Sequence, residues 1–202
     1  GGTDTATITV NASGQNDAPT AADNTVTTNE DTDHTFDASE FGFTDVDGDS
    51  LDHISIETLP SNGTLLLDGV AVTLGQDIPL ADISTLVFRP VADENGSGYD
   101  SFTFSVNDGT VDSGTYTMTV DVTPVNDAPT AVDDTDSVKV SNTVTDLTNG
   151  AGSVISDDTD PDSDPLTVGA ISFGGGAPVA VSAGTDRTNG TSITGSYGTL
   201  TI

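Results

Sequence analysis

Between residues 3 and 10 apolar and polar positions alternate, with Ala6, Ile8 and Val10 on one face and Thr5, Thr7 and Thr9 on the other. This is the period-two signature of a half-buried strand. The pattern returns at Phe102, Phe104 and Val106, and again at Tyr116, Met118, Val120 and Val122. These two runs predict the last two strands of a sheet. Shorter runs at residues 24–28, 34–38, 51–58, 64–67 and 85–88 predict five more, separated by turn signals such as Asp68-Gly69 and Asp108-Gly109. Helical periodicity is absent apart from a single turn over residues 80–84. Seven strands in about 105 residues predict an all-β chain built on an immunoglobulin-like sandwich.

The hexapeptide Asn-Asp-Ala-Pro-Thr-Ala occurs at residues 16–21 and again at 126–131, a period of 126 − 16 = 110 residues. That spacing is one small domain plus its joint. Proline fixes its own backbone and biases the residue before it toward an extended form, so the repeat reads as a stiff, acidic linker. After the second copy, strand candidates lie at residues 137–140, 166–171, 177–182 and 199–202. The chain therefore divides into three expected parts. Residues 1–18 form the last strand of a preceding domain plus its linker, 19–127 a complete sandwich, and 128–202 the first part of another. Gly1-Gly2-Thr3 reads as the middle of a longer protein. A sandwich begun but left unclosed exposes sheet edges. Either these residues are a window on a longer array, or the strand at residues 3–10 of an identical chain closes the open sheet head to tail.

Charge narrows the functions. The chain has 33 Asp+Glu against 3 Lys+Arg (Arg89, Lys139 and Arg187), a formal net charge of −30. Such a field disfavours nucleic acid and anionic membrane surfaces as partners, because phosphate binding is built on Lys and Arg. With no cysteine, neither a disulfide frame nor a thiolate metal site is available. No apolar run approaches the roughly 20 residues of a spanning helix, so no direct membrane insertion is expected. Few aromatics and no tryptophan leave little to line a sugar cleft. His34 and His53 lie on separate strands without a third histidine. The chain is expected not to be an enzyme.

The carboxylates gather in loops. Residues 45–52 hold four acids and residues 157–164 five, whereas residues 102–106 and 115–120 hold none. Following strand directions through a seven-strand sandwich brings Asp45, Asp47 and Asp49 to the end where Asn16-Asp17 enters, together with Asp108. Glu30, Asp31, Asp93 and Glu94 fall at the opposite end, where Asn126-Asp127 leaves. Two carboxylates at about 4 Å repel by roughly 4 kcal/mol at an effective dielectric near 20, so such clusters call for a cation. Oxygen-only ligands on flexible loops suit Ca²⁺ better than Zn²⁺ or Mg²⁺. The expected ligands are Asn16, Asp17, Glu30, Asp31, Asp45, Asp47, Asp93, Glu94, Asn126, Asp127, Asp158 and Asp160. Asp49, Asp112 and Asp164 read equally well as solvated turn formers, and Asn16 and Asn126 as turn caps. Neither acidic run is an EF-hand. Asp45-Val46-Asp47-Gly48-Asp49 has Ser50 and Ile56 where that loop needs Gly and Glu, and Asp158-Thr159-Asp160-Pro161-Asp162 fails likewise.

These residues resemble the cadherin-like and VCBS repeats of giant bacterial surface adhesins, including those secreted with RTX-type tails. Residues 21–123 are similar to a cadherin-like repeat. Asn29-Glu30-Asp31 matches the acidic end of its first strand, Asp45-Val46-Asp47 its Asp-x-Asp loop, and Asn126-Asp127-Ala128-Pro129 its linker. The linker carries fewer acids than that of animal cadherins, and Asp93-Glu94 lacks the intervening residue of the acid-x-acid loop. Residues 131–202, with Leu147-Thr148-Asn149-Gly150 and Ile193-Thr194-Gly195-Ser196-Tyr197-Gly198, resemble the first part of a VCBS repeat. The resemblance implies tandem immunoglobulin/cadherin-like sandwiches joined by short acidic linkers, with one to three Ca²⁺ per joint. It implies an extracellular extender on a bacterial cell surface, serving adhesion or biofilm formation. The partners would be neighbouring repeats of the same chain or identical chains, with the adhesive target carried elsewhere. A self-assembling fibre subunit and a calcium-dependent glycan-binding module are the alternatives.

Overall fold

The computed structural model describes residues 1–7, 9, 14–132, 157–171, 178–180, 192–195 and 198–201, and the chain divides into two units, Gly1–Val125 and Asn126–Ile202. In the first unit the described residues form β1 (Asn24–Asn29), β2 (His34–Thr35), β3 (His53–Thr58), β4 (Gly63–Leu67), β5 (Val70–Ala71), β6 (Asp77–Pro79), β7 (Leu86–Pro90), β8 (Gly96–Asn107) and β9 (Tyr116–Thr123). One sheet has the order β1-β9-β8-β3-β6 and the other β2-β7-β4-β5. Because successive side chains in a strand point to opposite faces, the alternating runs deliver Phe102, Phe104 and Val106 of β8, and Met118, Val120 and Val122 of β9, to one buried layer. Leu65, Leu86 and Phe88 of the second sheet are buried in the same core. The unit is an all-β sandwich. Its centre is a chain of edge-to-face rings, with Phe36 5.6 Å from Phe102 and Phe41 4.9 Å from Phe104, a geometry that adds to plain burial.

Strand ends depart from the sequence pattern for local reasons. The run at residues 34–38 is a strand only over His34–Thr35, and a 3-10 turn at Ala38–Phe41 follows. Asp37 starts that turn. Its carboxylate accepts from the Ser39 amide while Glu40 accepts from the Asp37 amide, a capping box that a period-two reading passes over. The turn drops Phe41 into the core. The turn expected over residues 80–84 is a 3-10 turn at Leu80–Thr85. β5 and β6 are edge strands of two and three residues, too short to show a period.

Residues 3–7 and 9 form no strand, although residues 3–10 alternate. A lone strand has no ladder to satisfy its backbone groups, and no described residue pairs with it. In the Asn126–Ile202 unit the candidate at 137–140 lies outside the described residues. The candidate at 166–171 reduces to β10 (Ala170–Ile171), which pairs with β11 (Val179–Ala180). β12 (Ser192–Gly195) and β13 (Gly198–Thr201) form an antiparallel pair.

The pairing that bears most on function is β1 with β9. The first and last strands of the sandwich run parallel, in register from Asn24↔Met118 to Asn29↔Thr123. The chain therefore comes in at one end of the unit, the leading end, and goes out at the other, the trailing end. β8 runs antiparallel to β9, so Asn95 precedes it at the trailing end and Asp108 follows it at the leading end.

Three carboxylates of this unit are held below the ordinary aspartate range. The Arg89 guanidinium does so for Asp33 with hydrogen bonds of 2.8 and 2.7 Å, partly opposed by burial. Ser39 does so for Asp37, and the Asn16 side chain together with the Val111 amide for Asp108. A carboxyl whose folded pKa is depressed contributes stability above its unfolded pKa and loses it as pH falls through the depressed value. Thermal melts in chelator should therefore show the midpoint dropping below about pH 4. Arg89→Ala should flatten that drop, and equal slopes in both proteins would contradict the assignment.

Candidate functional site

At the leading end the connector is tied to the loop at residues 45–52. Thr20 and Thr44 exchange both backbone hydrogen bonds at 2.8 Å, and their hydroxyls lie 2.7 Å apart. Upstream, the Asp17 amide donates to Asp47 Oδ2 at 2.7 Å. The Asn16 side-chain amide donates to Asp108 Oδ2 at 2.9 Å and to the Asp17 carbonyl at 3.0 Å. The loop itself wraps around Asp45, whose Oδ1 accepts from the amides of Asp47 at 2.8 Å and Asp49 at 3.1 Å. Gly48 makes the wrap possible with φ +85°, a conformation that glycine adopts without strain. Carboxylate oxygens of Asp45, Asp47 and Asp49 all lie within 4.8 Å of one another. Asp45 Oδ2 is buried and has no hydrogen-bond partner.

The trailing end is built differently. Glu30 is 2% exposed; its Oε2 accepts from Asn95 Nδ2 at 3.1 Å and its Oε1 accepts from the Val125 amide. Asp31 and Asp93 both have left-handed backbones, with φ 56° and 58°, a region aspartate tolerates better than most residues. The Asp93 amide donates to Asp31 Oδ1 at 3.3 Å. Glu94 is occupied elsewhere: its Oε2 accepts from Asn62 Nδ2 and from the Tyr99 hydroxyl, both at 3.0 Å. It closes a sheet corner with Tyr99, whose hydroxyl burial pushes up.

The second unit repeats the leading-end arrangement. Asn126 Nδ2 donates to the Asp127 carbonyl at 2.9 Å, and the Asp127 amide donates to Asp162 Oδ2 at 2.6 Å. Thr130 and Thr159 exchange backbone hydrogen bonds at 2.7 and 3.0 Å. The Asp164 amide donates to Asp160 Oδ1 at 3.1 Å. Asp160 therefore stands where Asp45 stands in the first unit, Asp162 where Asp47 does, and Asp164 where Asp49 does. Asp158 precedes the wrap and accepts instead from the Val132 amide at 2.8 Å.

Of the residues expected as ligands, the first unit gathers Asp45 and Asp47 with Asn16 and Asp17 nearby at its leading end, and Glu30, Asp31 and Asp93 at its trailing end. Asp49 and Asp108 join the leading end, and Asp162 and Asp164 the second unit's loop. Aligning the two acidic runs on Thr44-Asp45 and Thr159-Asp160 would have found the last two, since both read Thr-Asp-x-Asp-x-Asp-x-Leu.

The donor set at the leading end fits a hard divalent cation. It consists of carboxylate and amide oxygens without sulfur or imidazole. Arg89, the one Arg or Lys among the described residues, is spent on Asp33. The orphaned Oδ2 of Asp45 is the group such a cation would satisfy, because a buried carboxylate oxygen without a partner is costly.

A family model described as bacterial Ig domain matches residues 16–123, more than half of the chain. Its span starts at Asn16 and so takes in the connector that precedes β1. Comparison with curated proteins and with solved structures yields no match.

Proposed function

We propose that this chain, which belongs to the bacterial Ig domain family, is a calcium-stiffened spacer of a bacterial surface adhesin or extracellular fibre. Family membership supports a structural role in a bacterial surface protein. The observation that carries the finer reading is the parallel pairing of β1 with β9, which puts the chain's way in and way out at opposite ends of one sandwich. Domains threaded this way extend an array instead of folding it back. Acids at both ends supply oxygen ligands, and calcium binding there would draw each loop tight around its connector. The partners are neighbouring repeats of the same chain or identical chains, and the adhesive target lies elsewhere. The VCBS-like character of residues 128–202, the RTX-type export and the role in biofilm belong to this proposal.

Calorimetric titration of CaCl₂ into the chelator-treated 202-residue chain tests it, paired with small-angle scattering before and after. Saturable heat together with a longer, stiffer particle supports the spacer. Absence of heat, with scattering and melting unchanged in millimolar calcium, overturns it.

A further inference from the structure

The two copies of the connector are held by the same contacts, all of them hydrogen bonds between protein groups. In each unit an asparagine closes onto the carbonyl of the following aspartate, at Asn16 and at Asn126. Each time the aspartate's amide is taken by the middle acid of the loop, Asp47 or Asp162. Each time a threonine pair bridges connector and loop through backbone, Thr20 with Thr44 and Thr130 with Thr159. Each time the loop's first acid accepts from the amide of its third, Asp45 from Asp49 and Asp160 from Asp164. The positive φ of Gly48 recurs at the matching position in Ser163, with φ 62°, where a side chain makes it strained. The connector copies are 110 residues apart and the loop copies 160 − 45 = 115. A match in contacts that survives a change in spacing between the two parts is a property of the module.

At the other end of the first unit the buried carboxylate of Glu30 holds the Val125 amide, and the Glu30 amide donates to the Thr123 carbonyl at 2.9 Å. The outgoing chain is thus gripped up to Val125 by the domain it leaves.

We infer that Asp47 and Asp162 are positioning residues that latch each connector, by its own backbone, onto the domain that follows it. The connector is then the first element of a domain, not a tether between two. With the Val125 amide held by Glu30 and the Asp127 amide held by Asp162, only the φ and ψ angles of Val125 and Asn126 lie between the two grips. The latch consists of hydrogen bonds between protein groups, so it is expected to hold in chelator, which is what separates it from the spacer reading above.

Amide hydrogen exchange and ¹⁵N relaxation on the labelled 202-residue chain, each in chelator and in calcium, test this. In chelator the amides of Asp17 and Asp127 should exchange at least ~10-fold more slowly than those of Asn16 and Asn126. Order parameters of the Asp17 and Asp127 amides in chelator should match those of the domain that follows each of them. Asp47→Ala should release the Asp17 amide and leave Asp127 protected, and Asp162→Ala the reverse. Asp47→Asn, whose carbonyl still accepts, should retain most of the protection and guards against reading a local unfolding as loss of the latch. Free exchange at Asp17 and Asp127 in chelator overturns the inference even if calcium later protects them, and would leave the calcium reading standing. Protection in chelator with no heat on calcium titration sustains the latch and sinks the calcium reading. Asp17 protection unchanged in Asp47→Ala also overturns it.

Discussion

Phe104→Ala should cost the Gly1–Val125 unit about 3–5 kcal/mol, a large share of the ~5–15 kcal/mol by which a domain is stable. Phe104 is fully buried in the second half of the twelve-residue β8. It sits opposite Ile56 of β3 and Tyr116 of β9. Its ring lies 4.9 Å from Phe41 at 87° and 6.5 Å from Phe102, so its loss opens a cavity lined by rings that cannot collapse without leaving their own partners. Urea unfolding followed by circular dichroism should show the midpoint falling with little change in slope. Ser101→Ala, on the solvent face of the same strand, should stay within ~0.5 kcal/mol of the parent. A Phe104→Ala cost under about 1 kcal/mol would mean that the aromatic cluster is not what joins the two sheets. The loss also bears on function. β8 is continuous from Gly96 to Asn107, and its flanking residues Asn95 and Asp108 belong to the two acidic ends.

What the sequence disclosed follows the range of the forces involved. The long strands were legible because burial of one face imposes a period of two on Phe102, Phe104 and Val106, and on Met118, Val120 and Val122. The direction of the acids was legible too, since strand order fixes which loops share an end. The 3-10 turn at Ala38–Phe41 was hidden because its cause, the Asp37 and Glu40 capping box, is local and polar and leaves no period of two. Gly63 shows the opposite limit. The strand expected over residues 64–67 leaves it out, yet it lies in β4, where an added Cβ would come 2.4 Å from Phe88 Cζ. Only the fold reveals that neighbour. The register of the second acidic loop was legible only by comparing the two loops with each other. The expected ligand Asp158 lies ahead of the wrap, whereas the backbone bridge through Thr159 sets the register and makes Asp160 the equivalent of Asp45. The trace that bridge leaves in residue type is the Thr-Asp-x-Asp-x-Asp-x-Leu pattern common to both loops.

Asp45→Asn should reverse the order of stability between chelator and calcium. Asparagine keeps a carbonyl oxygen to accept the Asp47 and Asp49 amides, so the loop can still wrap, but it removes one of three negative charges whose oxygens lie within 4.8 Å. Repulsion between two unit charges at such distances runs from about 1 kcal/mol in water to about 4 kcal/mol at an effective dielectric of 20. In chelator the variant should therefore melt no lower than the parent. In calcium at about 100 times its Kd, each occupied site stabilises the parent by about 2.7 kcal/mol, which for a domain of this size is a rise of roughly 10–20 °C. The variant should lose most of that rise. It has given up the charge of the one leading-end carboxylate whose outer oxygen is buried and otherwise without a partner. Scanning calorimetry of both proteins in chelator and in millimolar calcium measures all four midpoints. Should Asp45→Asn gain as much from calcium as the parent, the leading end is not where calcium acts. The trailing-end acids Glu30, Asp31 and Asp93 would then be the next to replace. Should it melt well below the parent in both conditions, the carboxylate is needed for the wrap itself, and the repulsion argument fails. The crossing of the two orders is the one outcome that a purely structural aspartate cannot produce.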